Sequence, residues 1–470
     1  MMNFQHDHSN RPTSQTQDAE SVFGLAYEAA TRYVDDIDRR DVMPTFEAME
    51  NLKSIHEPLP SKSNDPREVI EMLEQVGAPA TVVTTGGRFF GFVVGGAMPV
   101  TIAANWLAST WDQNAGTWVL APFATEVEDV VANWMLEILD LPRDAAVGFV
   151  TGSTMGTFSA LAAARSALLR KAGFDLKRQG IRNAPEIRIV MSEEIHPTNI
   201  ATLGYLGFGT DEIETCPTDE QGRLRVDEMP DLDSRTIVIL QAGNINSGSF
   251  DAFEEICNRA KRVGAWVHVD GAFGLWARAS ASKRHLTKGV ELADSWSVDG
   301  HKWLNIPQDS AIYACRDHQA VNDVFGTSAT YLMRDEHRQP NNLVPELSRR
   351  ARGIEFWAAL KTLGRQGVEE LVDRNCQHAT RFAEGLAAAG YDVLNDVVLN
   401  QVVFACHDEA TTRSALKQIQ SSGVTWLGPT TWKGRFSMRI SISSWRTTEE
   451  DVQRSLAVMA DALQQANVFN

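Results

Sequence analysis

Three short stretches of this 470-residue chain carry residue types that could act together on one small molecule. In Asp299-Gly-His-Lys302-Trp, a lysine lies in a turn directly after the apolar run Asp294–Val298. Withdrawn from water, its amine becomes a neutral nucleophile for a carbonyl carbon. In His268-Val-Asp270, which closes the run Ala265–Asp270, strand alternation puts both side chains on one face with the carboxylate last. A buried carboxylate there needs a cation or strong donors; a helix-capping role is the plainer reading. Thr151-Gly-Ser-Thr-Met-Gly-Thr157 is a small-residue turn entering a helix. The helix-start N–H groups, with the hydroxyls of Ser153 and Thr154, would cradle an anion there. It matches neither the Walker loop nor the dinucleotide glycine fingerprint. His196, in Ser192-Glu-Glu-Ile-His-Pro, follows a fourth apolar run and taken alone is an ordinary loop histidine.

These stretches share a context. From about Val147 the chain alternates short apolar runs (Val147–Val150, Ile187–Met191, Thr236–Leu240, Ala265–Val269, Asp294–Val298) with helical segments such as Phe158–Lys171 and Phe253–Val263. That alternation predicts an α/β fold, a mostly parallel central sheet with helices on both faces, whose ligands gather at the carboxyl ends of the strands. The first 85 residues predict a helical N-terminal arm, with a frayed tail over about the first twenty. Within the arm, one helix begins after Ser21 and a second is capped by Asp65 and stopped by Gly77. Residues 86–363 form the expected large domain, and 364–470 a small α+β domain. That domain closes with a helix announced by a capping box at Thr447-x-x-Glu450.

Composition narrows the class. Acidic residues outnumber basic ones 61 to 44, a net charge of −17, which argues against nucleic acid or an anionic membrane as partner. With 43% hydrophobic residues the chain can bury a sizeable core. Its five scattered cysteines, polar N-terminus and lack of an 18-residue apolar run point to a cytoplasmic protein with reduced thiols.

A turn for a phosphate, an aromatic ring to lie against a flat ring, a carboxylate to face a ring nitrogen and a lysine for an aldehyde are what pyridoxal 5′-phosphate requires. At these residues the chain resembles the group II pyridoxal-phosphate-dependent amino-acid decarboxylases, the family of the aromatic-amino-acid, glutamate and histidine enzymes. The resemblance runs from Arg88-Phe-Phe-Gly-Phe to the C-terminus. It includes Asn105-Trp-Leu, Ala124-Thr-Glu-Val-Glu128, Val150-Thr-Gly-Ser-Thr, His268-Val-Asp270-Gly-Ala272, Ser297-Val-Asp-Gly-His-Lys302-Trp-Leu-Asn-Ile-Pro and Leu347-Ser-Arg-Arg.

The resemblance implies fold type I, an obligate homodimer with the active site at the interface, and decarboxylation of an L-amino acid to its amine. It implies that Lys302 forms the internal aldimine, that Asp270 pairs with the pyridine nitrogen and that His196 stacks on the ring. Ser153, Thr154 and His301 would contact the phosphate, Ala272 would pack on the ring and Asn244 would lie near the cofactor. Phe89, Phe90 and Trp111 match segments that line the substrate pocket in relatives.

The chain also departs from the family. Gly300 replaces the proline common before His-Lys, and Gln308 stands where an aromatic is frequent. The family's mobile loop carries a proton-donating tyrosine, whereas Leu332–Arg350 holds none; His337 is the titratable substitute expected there. The missing tyrosine opens a runner-up, transamination or an oxygen-consuming decarboxylative deamination, with Arg439 gripping a carboxylate or serving a structural role. A catalytically dead scaffold is disfavoured by the presence of both lysine and aspartate. The remote reading makes His268-x-Asp270 part of a non-haem iron oxygenase triad, which would expect an antiparallel double-sheet scaffold.

Overall fold

The structure, a computed structural model, describes residues 13–327 and 337–468. The N-terminal part holds α1 (Thr13–Asp36), α2 (Phe46–Asn51), α3 (Pro66–Met72), α4 (Pro99–Trp111) and α5 (Pro122–Ile138). Helix α1 starts eight residues before Ser21, where a frayed tail was expected, because no glycine or proline between Thr13 and Gly24 interrupts it. At α3, Asp65 accepts from the Arg67 N–H and Pro66 takes the first position, as the sequence predicts.

The central part runs β1 (Ala146–Val150), α6 (Ser153–Lys171), α7 (Leu176–Gln179), β2 (Arg188–Ser192), α8 (Pro197–Tyr205), β3 (Ile213–Cys216), β4 (Thr236–Gln241), α9 (Phe253–Val263), β5 (Trp266–Asp270), β6 (Ser295–Asp299), β7 (Ala311–Cys315) and α10 (His318–Phe325). The sheet order is β1-β7-β6-β5-β4-β2-β3, and only β7 runs against the others. Alternation along fully buried strands feeds two cores. Val190, Val238, Leu240, Val267 and Val269 pack with α5, α9 and α11 (Gly353–Ala389). Ile189, Met191, Ile237, Ile239 and Trp266 pack with α6, α8 and α10. Helices therefore cover both faces. Two strands escaped the sequence reading: β3, a half-exposed edge with polar residues, and β7, which closes the sheet from inside.

Helix α11 kinks at Gly364, where φ is 60°. The chain ends with β8 (Asp392–Val393), β9 (Gln401–Ala405), α12 (Glu409–Ser421), β10 (Gly428–Trp432), β11 (Arg435–Ser441) and α13 (Glu449–Val468). The four strands form an antiparallel sheet, β10-β11-β9-β8. Pro429 and the half-exposed face of β10 hid that strand, as befits an edge. The capping box sits one residue later than expected. Thr448 Oγ1 accepts from the Asp451 N–H while Asp451 Oδ2 accepts from the Thr448 N–H, and Thr447 instead donates to the Gly87 carbonyl.

Two motifs with no chemistry of their own meet in the core. Glu128 of α5 and Arg349 form an ion pair at 2.7 Å with both side chains 1% exposed. Arg349 also donates to the carbonyls of Ala115 and Phe149 at 2.9 and 3.0 Å, so the guanidinium ties the segment before α11 to β1. Burying such a pair is tolerable because these bonds give Nη1 and Nη2 acceptors that desolvation would otherwise deny them.

Candidate active site

The carboxyl ends of β1, β2, β4, β5 and β6 open onto one cavity of about 320 Å³. That is within the roughly 300–1,000 Å³ typical of small-molecule sites. Ser153, Thr154, His196, Asp270, Ala272, His301 and Lys302 all line it, so the structure brings these seven sequence-derived candidates together.

Lys302 follows β6 in a tight turn, and its Nζ lies 2.9 Å from Asp299 Oδ2. Asp299 is the residue that sequence reasoning missed. It ends β6 fully buried, and its Oδ1 accepts from the Ser153 N–H at 2.6 Å. Burial alone would raise its pKa, but the charges of Lys302 and His301 and the bonds from Lys302 and Ser153 hold it below the ordinary carboxylate range. The signal was available: an acid one helical turn before the lysine, at the end of an apolar strand.

The turn itself depends on two glycines. A Cβ on Gly95 would run into the Lys302 carbonyl oxygen, so that segment approaches the lysine backbone as only glycine can. At Gly300 a Cβ would lie 2.5 Å from Cζ of Phe356, which is fully buried, and the Gly300 N–H donates to Ser310 O at 2.9 Å. The departure from proline thus has a cause: Phe356 fills the ring's space, and the N–H is used. Gly300→Pro should destabilise the apoprotein by about 2 kcal/mol or more in urea unfolding, from overpacking and a lost hydrogen bond.

His196 caps α8. Its Nδ1 accepts from the Thr198 N–H at 3.3 Å and lies 2.8 Å from Thr198 Oγ1, which leaves Nε2 to carry the proton of the neutral ring. Burial lowers its pKa below 6.5; Asp270 opposes that shift, while Lys302 and Arg439 reinforce it. Asp270 Oδ2 accepts from Asn199 Nδ2 at 2.7 Å and Oδ1 from the Ala272 N–H at 3.1 Å. His301 is likewise pushed down by burial against the opposing charge of Asp299. Its Nδ1 accepts from the Ser310 N–H at 3.2 Å.

The arrangement fits pyridoxal phosphate on its own terms. Ser153 Oγ is buried without a partner among the described residues, and the N-cap residue of α6, Gly152, has no side chain to cap it; of the helix-start amides, the Ser153 N–H is held by Asp299. A free hydroxyl and helix-start amides suit an anion in the same cavity that Asp270, His196 and Lys302 line.

Other candidates lie elsewhere. Asn244 Oδ1 accepts from the N–H groups of Asn246 and Ser247, building the turn whose neighbours Gly243 and Ile245 line the cavity. Arg439 donates from Nη1 to the Ile245 carbonyl at 3.0 Å and, at 3.5 Å, from Nη2 to that of Phe92, with its pKa lowered to about 10 by burial. It braces the cavity loop from behind. Phe89 stacks on Trp426 at 5.1 Å, and Phe90 sits in the small-domain core, edge-on to Phe382. Trp111, at the exposed end of α4, meets Phe123 edge-on. None of these three aromatics lines the cavity.

His337 is not in this cleft either. It stacks on Trp118 at 4.0 Å with Nδ1 3.5 Å from Glu126 Oε1. The adjacent Arg338 and Gln339 pin the segment to the Val147 carbonyl and the Trp118 N–H. Tyr331 and all of Leu332–Glu336 fall outside the described residues. His268 is fully buried, bonded to Ser295 Oγ at 3.0 Å, and pushed down to about 4 by burial. Its strand belongs to a parallel sheet between helices, not to the double-sheet scaffold that the iron reading expects.

A family model described as the pyridoxal-dependent decarboxylase conserved domain matches residues 49–407. The aromatic-L-amino-acid decarboxylase of Bacillus atrophaeus is 26% identical, over 94% of this chain and 95% of its own length. Among solved structures, Oryza sativa TDC with PLP and tryptamine superposes with a TM-score of 0.86 at 21% identity, covering 98% of this chain and 99% of that one. Rhodiola rosea 4-hydroxyphenylacetaldehyde synthase does so with a TM-score of 0.85 at 21% identity, covering 97% and 99%. At such identities the two structures establish the shared fold.

Proposed function

The chain belongs to the pyridoxal-dependent decarboxylase family, and from that membership we propose how its own residues carry the reaction. The protein is a pyridoxal-phosphate-dependent carboxy-lyase acting on an amino acid. When bound, the cofactor supplies a protonated ring that takes up the electron pair left as carbon dioxide departs.

Lys302 Nζ is the amine that would hold the cofactor aldehyde, and Asp299 Oδ2, 2.9 Å away, is the counter-charge that orients it. The carboxylate of Asp270, fixed in orientation by two donors, would pair with the ring nitrogen. Ser153, Thr154, the start of α6 and His301 would hold the phosphate. His196, which lines the cavity, would lie against the ring and offer Nε2–H to the substrate carboxylate. The cavity lining contains no tyrosine among the described residues. Among the described lining residues, Lys302 Nζ and His196 Nε2 are the groups we assign to proton transfer at the substrate carbon. The single observation that carries this reading is the convergence of Lys302, Asp299, Asp270 and His196 on one cavity.

We place the substrate among the aromatic L-amino acids, on the support of the Bacillus relative, which matches nearly end to end. Exposed Trp106, Leu107, Trp111, Leu120 and Phe123 on and between α4 and α5 support a homodimer, since a lone subunit would leave these large apolar side chains in water. The five unpaired, buried cysteines agree with a cytoplasmic setting. Among the described residues, no helix is long and apolar enough to cross a membrane.

The test is a panel of L-amino acids given to holoenzyme, with carbon dioxide, amine, keto acid, aldehyde and peroxide measured. Carbon dioxide with equimolar amine, largest for aromatic substrates, is expected. Activity confined to acidic or basic side chains would overturn the substrate class, and aldehyde with peroxide would replace amine formation. Because His196 acts as the neutral ring, kcat/KM should fall as pH drops through a midpoint below 6.5, the side to which burial moves it. His196→Gln should remove that limb.

A further inference from the structure

We propose that Asn199 is a positioning residue that orients the Asp270 carboxylate towards the cofactor ring nitrogen and ties it to His196 through the first turn of α8. The inference rests on the reading above that Asp270 faces that nitrogen.

Asn199 is fully buried. Its Nδ2 donates to Asp270 Oδ2 at 2.7 Å and also lies 3.3 Å from the His196 carbonyl oxygen. The chemistry fixes the orientation of the amide, because the reverse would set two oxygen acceptors against each other. The placement follows from the backbone. His196 caps the helix, Pro197 takes its first position, and the Asn199 N–H donates back to His196 O at 2.9 Å. That puts the Asn199 side chain on the sheet side of α8. Alternation along β5 puts Asp270 on the same side, with Trp266 in the core that α6 and α8 share.

The choice of a neutral donor has a consequence. An arginine or lysine there would cancel the charge of Asp270 and weaken its hold on a ring proton. An amide orients the carboxylate by a hydrogen bond and adds no charge of its own. Asn199 Oδ1 meets no donor among the described residues, so the side chain is held chiefly through Nδ2.

The test uses full-length apoprotein titrated with pyridoxal 5′-phosphate between pH 6 and 9, read by visible absorption and protein fluorescence. Asn199→Asp keeps the shape but sets a second carboxyl against Asp270. The pair can share a proton at low pH and repels when ionised. Its cofactor affinity should fall by roughly tenfold or more at high pH and recover towards pH 6, with a shifted pH midpoint of the bound absorption band. Asn199→Ala should weaken binding at every pH without that recovery. Asp270→Asn is the reference. If it binds as tightly as the native protein, the role given to Asp270 fails. If it binds weakly while both Asn199 variants match the native protein at every pH, the positioning role alone is overturned. Apoprotein melting checks that the variants fold, and should Asn199→Asp not fold, Asn199→Ala decides.

Discussion

Lys302→Ala protein should purify colourless in the presence of pyridoxal 5′-phosphate and fail to retain cofactor after borohydride. Its decarboxylation should be slower by roughly 10³-fold or more, within the range for losing a positioned proton-transfer group and with a covalent anchor lost besides. The argument is local. The lysine sits in a turn with its side chain about one-fifth exposed, 2.9 Å from a buried carboxylate. Among the described residues, Lys302 is the one lysine that lines the cavity, so no other amine there takes its place. A yellow, borohydride-sensitive and active alanine variant would refute the assignment. The measurements are an absorption spectrum and a carbon dioxide assay on one preparation.

Asp299→Ala is expected to have the second largest effect, because it strands two groups at once. The Lys302 ammonium loses its only carboxylate at salt-bridge distance among the described residues, and the Ser153 N–H loses its acceptor. Breaking a buried pair by removing one partner costs about 3–5 kcal/mol. Apoprotein stability in urea should fall by that order, and cofactor affinity with it. Asp299→Asn retains an acceptor for Ser153 and should recover part of the stability while leaving Lys302 without a counter-charge.

The pH dependence has a definite sign. The folded pKa of Asp299 lies below its ordinary value of 3.8. Its contribution is therefore complete above 3.8 and lost as pH falls through the lower folded value. Alanine at this position should flatten the acid limb of the stability curve relative to the native protein; an unchanged limb would mean that Asp299 does not hold this charge.

Much of the fold was legible along the chain because the signals are short-range. The five expected apolar runs became β1, β2, β4, β5 and β6, and α9 spans its expected residues. The strands that were missed, β3, β7, β8 and β10, are short, polar at an edge, or recognisable only through the neighbours that bury them. The capping box moved by one residue because two adjacent threonines satisfy the same pattern. A buried contact with Gly87 decided which of them faces the core.

Sequence alone determined the composition of the chemistry: a lysine after one strand, a carboxylate ending another, an anion turn and a histidine before a helix. Each is set by a strand end or helix start, so a few consecutive residues suffice to specify it. Tertiary structure decided which of the remaining candidates share the cavity. Phe90 went to the small-domain core, Trp111 to a surface and His337 to a stack on Trp118, while Arg439 went behind a loop. It also recruited Asn199, whose partner Asp270 lies 71 residues away. An aromatic or amide side chain has several good burials of similar free energy, and only long-range packing selects among them.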